Sequence, residues 1–308
     1  MELIRDLQGI LPKHHGCVLT IGNFDGVHLG HQAVLAQVKA KAKALNLPAV
    51  VMVFEPQPIE FFSPDKAPAR ICRWRDKYEL LKAQQIDRML CVRFNEKFAA
   101  LSANEFIEIL LLEKLGVKHL VIGDDFRFGK ARMGDFTTLQ AAGEKHQFTV
   151  EDTLSYLKQG VRVSSTSVRQ SLALGDFDKA TALLARPFSI SGHVVHGDKI
   201  GRTIGFPTLN ILLRRQVSPV SGVYAVQVNH QGQVLNGVAN VGTRPTVKGI
   251  RQQLEVHLFD FAGDLYGQRL TITFKKKLRD EQKFDSVDAL KQQIKLDASH
   301  AKTALMCD

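Results

Sequence analysis

Cysteine is scarce in this 308-residue chain, and its four thiols lie far apart. Cys17, Cys72, Cys91 and Cys307 form no C-x-x-C pair, which argues against a zinc knuckle or a disulfide framework. We therefore expect reduced thiols and a cytoplasmic location. No apolar run is long enough to cross a membrane. Residues 1–6 have neither the basic nor the apolar region of a secretory signal, so secretion and membrane insertion are not expected.

Acidic residues are the minority among the charged ones: 41 Lys and Arg stand against 31 Asp and Glu, a formal net charge of +10. Such an excess indicates an anionic partner, and nucleic acid, a membrane surface and nucleotide phosphates all satisfy it. A long basic block is also lacking. The short lysine runs at 39–43 and 275–277 are typical of solvated faces. Charge alone therefore does not select one of these partners.

Low-complexity segments and internal repeats are absent too, and the hydrophobic periodicity instead divides the chain in two. Up to residue 186, short apolar runs alternate with segments of helical period. This alternation predicts a Rossmann-like α/β domain, in which helices cover both faces of an open parallel sheet. The predicted strands are residues 17–22, 49–54, 88–94, 119–123 and 147–151, and the predicted helices are residues 29–46, 76–85, 102–115, 136–145 and 177–185.

Glycine becomes frequent between residues 187 and 308, and the apolar runs there alternate with polar residues. The His-Gln-Gly stretch at 230–232 predicts a hairpin turn, and the whole pattern predicts a small antiparallel β-barrel. A helical segment at 285–305 would close it. We place the domain boundary after residue 186, which gives domains 1–186 and 187–308. The predicted barrel strands are residues 223–229, 233–241, 253–260 and 269–274.

The stretch GNFDGVHLGH at residues 22–31 puts a glycine turn and two histidines between a predicted strand and a predicted helix. Backbone N–H groups and the helix dipole attract anions there, at the edge where open α/β sheets bind ligands. His28 and His31 lie on one side of the starting helix, and Gly30 lets a phosphate approach the backbone. The third ligand of a zinc site is missing, while a surface histidine pair remains an alternative. The context predicts nucleotidyl transfer, which needs stabilisation of phosphoryl charge.

These residues closely resemble the signature of the bacterial bifunctional riboflavin kinase/FAD synthetase family. The resemblance continues over nearly the whole chain. This chain departs from the family at Gln57 in place of histidine, Leu209 in place of alanine, and Arg-Ile-Cys at 70–72 in place of Arg-Leu-Thr. We expect Gln57 and Cys72 to alter flavin affinity or the balance of the two activities. The further matching motifs are FEPQP at 54–58, GDDFRFG at 123–129, SSTSVR at 164–169, GFPTLN at 205–210, NVGTRPT at 240–246, LEVHLFDF at 254–261, DLYG at 264–267 and LRDEQKF at 278–284.

For the first domain, the resemblance implies an FMN adenylyltransferase, in which the FMN phosphate attacks the α-phosphorus of ATP and pyrophosphate leaves. His28, His31 and Arg169 would be catalytic, with their N–H groups on phosphate oxygens. Judged from the residues alone, 164–169 remains an ordinary helix start with a surface arginine, and core packing remains an alternative for each of the aromatic residues. The implied ATP-binding residues are Gly22, Phe24, Asp25, Gly30, Asp125, Ser164, Ser165 and Thr166, and the implied flavin-binding residues are Phe54, Phe62 and Phe128.

For the second domain, the resemblance implies a riboflavin kinase. A Walker A motif is missing, which argues against a P-loop kinase, and Glu255 is the implied base for the ribityl 5′-hydroxyl. From strand position alone, Glu255 remains a solvent-facing carboxylate and residues 279–284 remain a strand end followed by a loop. The implied ATP-binding residues are Gly197, Gly201 and Gly205, the implied Mg²⁺ ligands are Thr208 and Asn210, and the implied flavin-binding residues are Arg279 and Phe284.

Other classes of protein remain open from the residues alone. Class I aminoacyl-tRNA synthetases share H-x-G-H and suit a basic chain, but they carry a Lys-Met-Ser-Lys-Ser-like loop that is missing here. A nucleic-acid-binding module with an inactive nucleotide fold, or a chain with one live activity, is also compatible. The resemblance implies riboflavin, FMN and ATP as substrates, FMN and FAD as products, Mg²⁺ as cofactor, and no nucleic-acid or membrane partner. It leaves the oligomeric state open.

Overall fold

The computed structural model describes residues 1–123, 125–153, 156–158, 161–196, 205–213, 217–246 and 249–306. The chain divides into two compact units. The first comprises Met1–Ala67 and Arg73–Val163, and the second comprises Pro68–Cys72 and Ser164–Asp308. The domain boundary after residue 186 stays a prediction. Among the residues described, none of the helices has both the length and the apolar character that crossing a bilayer requires.

The first unit contains a six-stranded parallel sheet. Its strands are β1 (Glu2–Arg5), β2 (Cys17–Ile21), β3 (Ala49–Glu55), β4 (Arg88–Arg93), β5 (Val117–Ile122) and β6 (Thr149–Asp152). In space they lie in the order β1-β4-β3-β2-β5-β6. The chain leaves β2 toward β3 and β4 and later crosses to β5 on the other side, so the direction of winding reverses between β2 and β5.

Helices cover both faces of this sheet. Alternate residues of β2 enter two separate hydrophobic cores, Leu19 on one face and Val18 on the other. Burial on both faces explains why the strands read as continuous apolar runs, and the Rossmann-like prediction is confirmed. The helices are α1 (Leu29–Leu45), α2 (Pro58–Phe62), α3 (Trp74–Ala83), α4 (Glu96–Ala99), α5 (Ala103–Glu105), a π-helix (Phe106–Lys114) and α6 (Phe136–His146). A short hairpin, β7 (Leu157–Lys158) and β8 (Val161–Arg162), follows β6.

The second unit contains a closed, six-stranded antiparallel barrel. Its strands are β9 (Ser189–Val195), β10 (Leu209–Leu212), β11 (Gly222–His230), β12 (Gln233–Thr246), β13 (Gly249–Leu258) and β14 (Arg269–Arg279). The spatial order β10-β13-β12-β11-β14-β9 closes because β9 also pairs with β10. The predicted barrel and the predicted hairpin between β11 and β12 are confirmed, whereas β9 and β10 were not predicted.

Three helices complete the second unit in the part of the chain that the structure describes: α7 (Ser165–Leu174), α8 (Phe177–Leu184) and α9 (Val287–Met306). α9 is the predicted closing helix. Its residues Ala301 and Leu305 pack on Val223, Ala225 and Phe259 on the outside of the barrel. This contact buries apolar surface that the barrel would otherwise expose to water.

Candidate active sites

The turn between β2 and α1 holds its backbone in left-handed conformations. Phe24, Gly26 and Val27 have φ of 46°, 84° and 43°, and a positive φ is a true outlier for β-branched valine. The side chain of Gln32 supports the turn, because its Nε2 donates to the carbonyl of Val27 at 3.0 Å. Such strain costs about 1–3 kcal/mol per residue and concentrates at functional sites. The turn is therefore held in one defined shape directly before the two histidines.

His28 is the N-cap residue of α1, and its ring is fixed by that role. The backbone N–H of His31 donates to Nδ1 of His28 at 3.3 Å. Because Nδ1 accepts this bond, the proton of the neutral imidazole lies on Nε2, which is then a donor. The ring of His31 stacks on that of His28 with centroids 3.7 Å apart, and Phe24 flanks His31 at 4.9 Å. Both predicted imidazoles thus lie together in a rigid arrangement at the start of α1.

Gly30 permits a close approach at this point. A Cβ there would lie 3.0 Å from the carbonyl oxygen of Val163 and 3.2 Å from the ring of His28. Any side chain would therefore displace either the imidazole or the backbone that leads into α7. The predicted role of Gly30 in admitting a phosphate stays a prediction, but its need to be glycine has a second, steric reason.

Asp125 lies at the carboxyl end of β5, the strand beside β2. A Cβ on Gly123 would be 2.9 Å from Oδ1 of Asp125, so the carboxylate folds back over the end of β5. In open α/β sheets, ligands bind where the winding direction reverses. His28 and Asp125 follow the strands that flank this reversal, between β2 and β5. The fold therefore brings these two candidates to the carboxyl ends of two adjacent parallel strands.

The remaining residues predicted to bind the phosphates of ATP lie at the start of α7, which belongs to the second unit. Ser164 caps α7, since its Oγ accepts the N–H of Ser167 at 3.1 Å. Ser165 and Thr166 form the first turn, and Nε of Arg169 donates to the carbonyl of Ala69 at 2.6 Å. These are contacts of a well-capped helix, and the phosphate-binding role of the segment stays a prediction.

The predicted flavin-binding phenylalanines of the first unit differ in exposure. Phe54 and Phe128 are buried, with 8% and 6% of their surface exposed, whereas Phe62 is 65% exposed at the end of α2. Gln57, which replaces the family histidine, is buried immediately before α2. A ring as exposed as that of Phe62 has a face available for a flat heterocycle.

In the second unit, Glu255 lies beside a buried amide. The register pairs Glu255 of β13 with Asn210 of β10 and with Asn240 of β12. Gln253 joins the first pair, because its Nε2 donates to Oδ1 of Asn210 and, at 3.2 Å, to Oε1 of Glu255. Leu254, the residue between them, faces the barrel core. The carboxylate and the amide oxygen therefore lie together on the outside of the barrel wall. Sequence reasoning missed Gln253, although it shares the strand face of Glu255.

Hydroxyl, amide and carboxylate oxygens of this kind are the hard ligands that Mg²⁺ prefers. Thr208 lies two residues before Asn210, just ahead of β10. Within the described ranges, no group of three or more His, Cys, Asp or Glu side chains is placed to hold a metal. The assignment of Thr208 and Asn210 as magnesium ligands stays a prediction. Of the predicted ATP-covering glycines, Gly205 has φ of 87° in open space, and Gly197 and Gly201 lie outside the described residues.

A cavity of about 350 Å³ opens on the same face of β13. That volume falls in the range of small-molecule sites. His257, two residues after Glu255, lines it and is hydrogen-bonded through Nδ1 to the carbonyl of Pro207 at 2.9 Å. Lys302 of α9 lines the opposite side, with Nζ 5.1 Å from the ring centroid of Phe259. The lining of the cavity, as the structure describes it, includes none of the predicted catalytic, metal-binding or flavin-binding residues of this unit.

Arg279 and Phe284 are held against α9. Nε of Arg279 donates to Asp297 at 2.9 and 3.1 Å, and Nη2 donates to it at 2.7 Å. Asp297 is buried and also accepts from Gln293 at 2.9 Å. The guanidinium further donates to the carbonyl of Asp280 at 2.9 Å and lies 5.7 Å from the ring of Phe284. Paired bonds of this type are strong and directional, so Arg279 fastens the segment leading to Phe284 onto α9.

Both halves of the chain match known protein families. The family model described as FAD synthetase matches residues 10–167, and the one described as riboflavin kinase matches residues 184–305. A bifunctional riboflavin kinase/FMN adenylyltransferase of Escherichia coli (strain K12) is 55% identical over 98% of this chain and 97% of its own length. The protein of the same name from Haemophilus influenzae is 51% identical, over 98% of each chain.

The solved structures give a matching result for the fold. The crystal structure of a protein described as a macrolide-efflux protein from Streptococcus pneumoniae matches with a TM-score of 0.79 at 32% sequence identity. The match covers 96% of this chain and 97% of that one. Both units of the chain therefore occur together, in this order, in a protein whose structure was determined by experiment.

Both units carry groups suited to phosphate chemistry, and the class they define is a two-domain transferase that works on nucleotides. The relatives identify one family within this class, because this chain shares more than half of its residues with the Escherichia coli protein over nearly the full length of both. The chain belongs to the family of bifunctional riboflavin kinases/FMN adenylyltransferases. The resemblance inferred from its motifs is confirmed.

Proposed function

We propose that the second unit transfers the γ-phosphoryl group of ATP to riboflavin, and that the first unit joins the resulting FMN to the AMP part of ATP. The presence of both family models in one chain supports the pair of activities. The structural observation that best supports adenylyl transfer is the fixed pair of imidazoles, His28 and His31, at the ligand edge of the sheet. The substrates are riboflavin, FMN and ATP.

In adenylyl transfer, a phosphate oxygen of FMN forms a bond to the α-phosphorus of ATP while the bond from that phosphorus to pyrophosphate breaks. Negative charge grows on the α-phosphoryl oxygens and moves to the leaving pyrophosphate. Nε2–H of His28 donates to these oxygens, and the stacked ring of His31 supplies a second imidazole beside it. Donors that are already fixed in place stabilise this charge without reorganising. Asp125, after the neighbouring strand β5, is suited to accept a hydrogen bond from a ribose hydroxyl or the adenine amine.

In phosphoryl transfer, Glu255 accepts the proton of the ribityl 5′-hydroxyl as its oxygen forms a bond to the γ-phosphorus and ADP leaves. The hydrogen bond from Gln253 fixes the orientation of this carboxylate. Thr208 and Asn210 would hold Mg²⁺ through their side-chain oxygens, and the cation would neutralise phosphate charge.

Both activities are tested by incubating the full chain with riboflavin, ATP and Mg²⁺ and separating the flavins over time by chromatography. FMN should appear first and then be converted into FAD. If supplied FMN becomes FAD while riboflavin stays unchanged, the kinase assignment is wrong. If neither product forms, the whole proposal is wrong.

Chelation of the metal is expected to stop FMN formation, because phosphoryl transfer needs a cation on the ATP phosphates. The same time course is run with excess EDTA and then with Mg²⁺ restored. Thr208→Ala and Asn210→Ala should raise the Mg²⁺ concentration needed for half-maximal FMN formation. Unchanged Mg²⁺ dependence in both variants would remove these residues from the metal site.

Replacement of Phe62 by alanine is expected to raise the KM for FMN in adenylyl transfer about five- to tenfold, with kcat little changed. The physical reason is the loss of one stacking contact, worth about 0.5–1.5 kcal/mol beyond buried area. Ile59→Ala is the matched control, since Ile59 is 41% exposed on the same helix but has no ring. Equal shifts in both variants would mean that α2, and not the ring, matters for FMN.

Replacement of Asp297 by asparagine is expected to lower the free energy of unfolding by about 1–3 kcal/mol, because it leaves Arg279 without its buried counter-charge. It should also raise the KM for riboflavin and leave adenylyl transfer from supplied FMN unchanged. Chemical denaturation and steady-state kinetics measure the two effects. Asp288→Asn, at an exposed position in the first turn of the same helix, is the control. It should leave the KM for riboflavin unchanged and lower the free energy of unfolding by less than about 1 kcal/mol, through the helix dipole alone.

A further inference from the structure

Phenylalanine rings of the first unit contact one another in an unbroken series along the ligand edge of the sheet. We call this series the phenylalanine chain. Neighbouring ring centroids in it lie between 4.9 and 6.2 Å apart, distances at which aromatic rings attract one another. Its members are Phe54, Phe61, Phe62, Phe94, Phe98, Phe106, Phe126 and Phe128.

Within the phenylalanine chain, Phe94 contacts the two rings at the exposed end, those of Phe61 and Phe62. Its centroid lies 5.6 Å from that of Phe62 and 5.5 Å from that of Phe61, with interplanar angles of 76° and 68°. It also meets Phe54 edge-on at 5.7 Å and 84°. These are edge-to-face contacts, a favoured arrangement of two rings. A change at Phe94 therefore affects every ring that lies near α2.

The sheet itself fixes Phe94. The residue follows β4 directly, and its backbone N–H donates to the carbonyl of Glu55 at 3.2 Å, which continues the ladder between β3 and β4. Its side chain is 9% exposed. Phe94 is thus anchored by backbone pairing and largely closed to a bound substrate.

Phe62, in contrast, has little to hold it. Helix α2 has five residues, and Phe62 is the last of them. Helices this short are not stable by themselves in water. The contacts with Phe61, at 5.2 Å, and with Phe94 therefore set the direction of a ring that is 65% exposed.

We propose that Phe94 is a positioning residue for the flavin substrate of adenylyl transfer: it does not touch FMN, but holds the rings of Phe62 and Phe54 in the orientation that accepts the isoalloxazine. This inference rests on the proposed function, because it needs a flavin site at Phe62. It assigns the specificity of the first unit for FMN to a buried residue outside the binding surface.

The test is Phe94→Leu in the full chain, which keeps an apolar side chain and removes the ring edges. The KM for FMN should rise about tenfold, with kcat and the KM for ATP within twofold of wild type. Phe94→Tyr keeps the ring and should restore the KM. If Phe94→Leu does not fold, Phe61→Leu removes the other support of Phe62 from a less buried position and should give the same selective shift.

Phe148→Leu is the matched control, since Phe148 is 3% exposed in the same unit but is no member of the phenylalanine chain. It should leave the KM for FMN unchanged. Equal increases in the KM for FMN in Phe94→Leu and Phe148→Leu would show that Phe94 contributes only to the general packing of the unit, and would overturn the inference. If Phe62→Ala raises the KM and Phe94→Leu does not, the positioning role is wrong while the flavin site stands. If neither variant, nor Phe54→Ala, alters the KM, the flavin site itself is wrong, and the inference falls with it.

Discussion

Replacement of His28 by alanine is expected to stop the reaction sequence at FMN. The rate of FAD formation from supplied FMN should fall about 10²- to 10³-fold, which is the usual cost of removing one fixed donor from developing oxyanion charge. Phosphorylation of riboflavin should continue at the rate of the wild type, because the barrel of the second unit carries that activity. Initial rates of both steps, measured on one preparation, give the comparison.

The imidazole of His28 also caps α1, so a control has to separate capping from catalysis. Loss of an N-cap costs about 1 kcal/mol. Asparagine is a good N-cap residue without an imidazole, so His28→Asn should keep the stability of the wild type and lose FAD formation as the alanine variant does. Wild-type rates in His28→Asn would show that the ring serves only as a cap and would contradict its catalytic assignment.

Replacement of Glu255 by glutamine is expected to lower FMN formation about 10²- to 10⁴-fold, the range for losing a general base. Glutamine keeps the size of the side chain and a carbonyl oxygen that still accepts from Gln253, but it is not a base at neutral pH. Adenylyl transfer from supplied FMN should be unchanged. The measurement is the initial rate of FMN formation at saturating riboflavin and ATP.

Two further variants serve as comparisons for the rate of FMN formation in Glu255→Gln. Asp288→Asn removes an exposed carboxylate from the same unit and should leave FMN formation intact. Gln253→Ala removes the hydrogen bond that orients Glu255 and should cost about 1 kcal/mol, or roughly fivefold in rate. A Glu255→Gln variant that retains a tenth or more of the wild-type rate would show that another group accepts the proton.

The sheet and its histidines could be predicted from the sequence because local signals decide them. Continuous apolar runs indicate strands buried on both faces, and the glycine turn before His28 indicates a strand that passes directly into a helix. β1 escaped prediction because Glu2–Arg5 has only four residues and becomes a strand by pairing with β4, far along the chain. A Ser-x-x-Glu capping box is another local signal, and the one formed by Ser102 and Glu105 is present, with hydrogen bonds of 2.8 and 3.2 Å.

The site on the barrel could be predicted only in part. Glu255 and Asn210 belong to separate motifs, and the register of β10 against β13 that brings them together has no local signal. Asp297 was missed for a similar reason. A carboxylate on the buried face of a helix is unusual enough to suggest a cationic partner, but no pattern links it to Arg279 at the end of a strand.

Closure of the barrel has a consequence for how copies of this chain can associate. A strand at the margin of an open sheet presents backbone N–H and C=O groups that can pair with a strand of another molecule. The six barrel strands that the structure describes are each paired on both sides, whereas β1 and β6 of the parallel sheet are each paired on one side. Among the described residues of these two sheets, β1 and β6 are therefore the strands that offer a whole edge for intermolecular strand pairing.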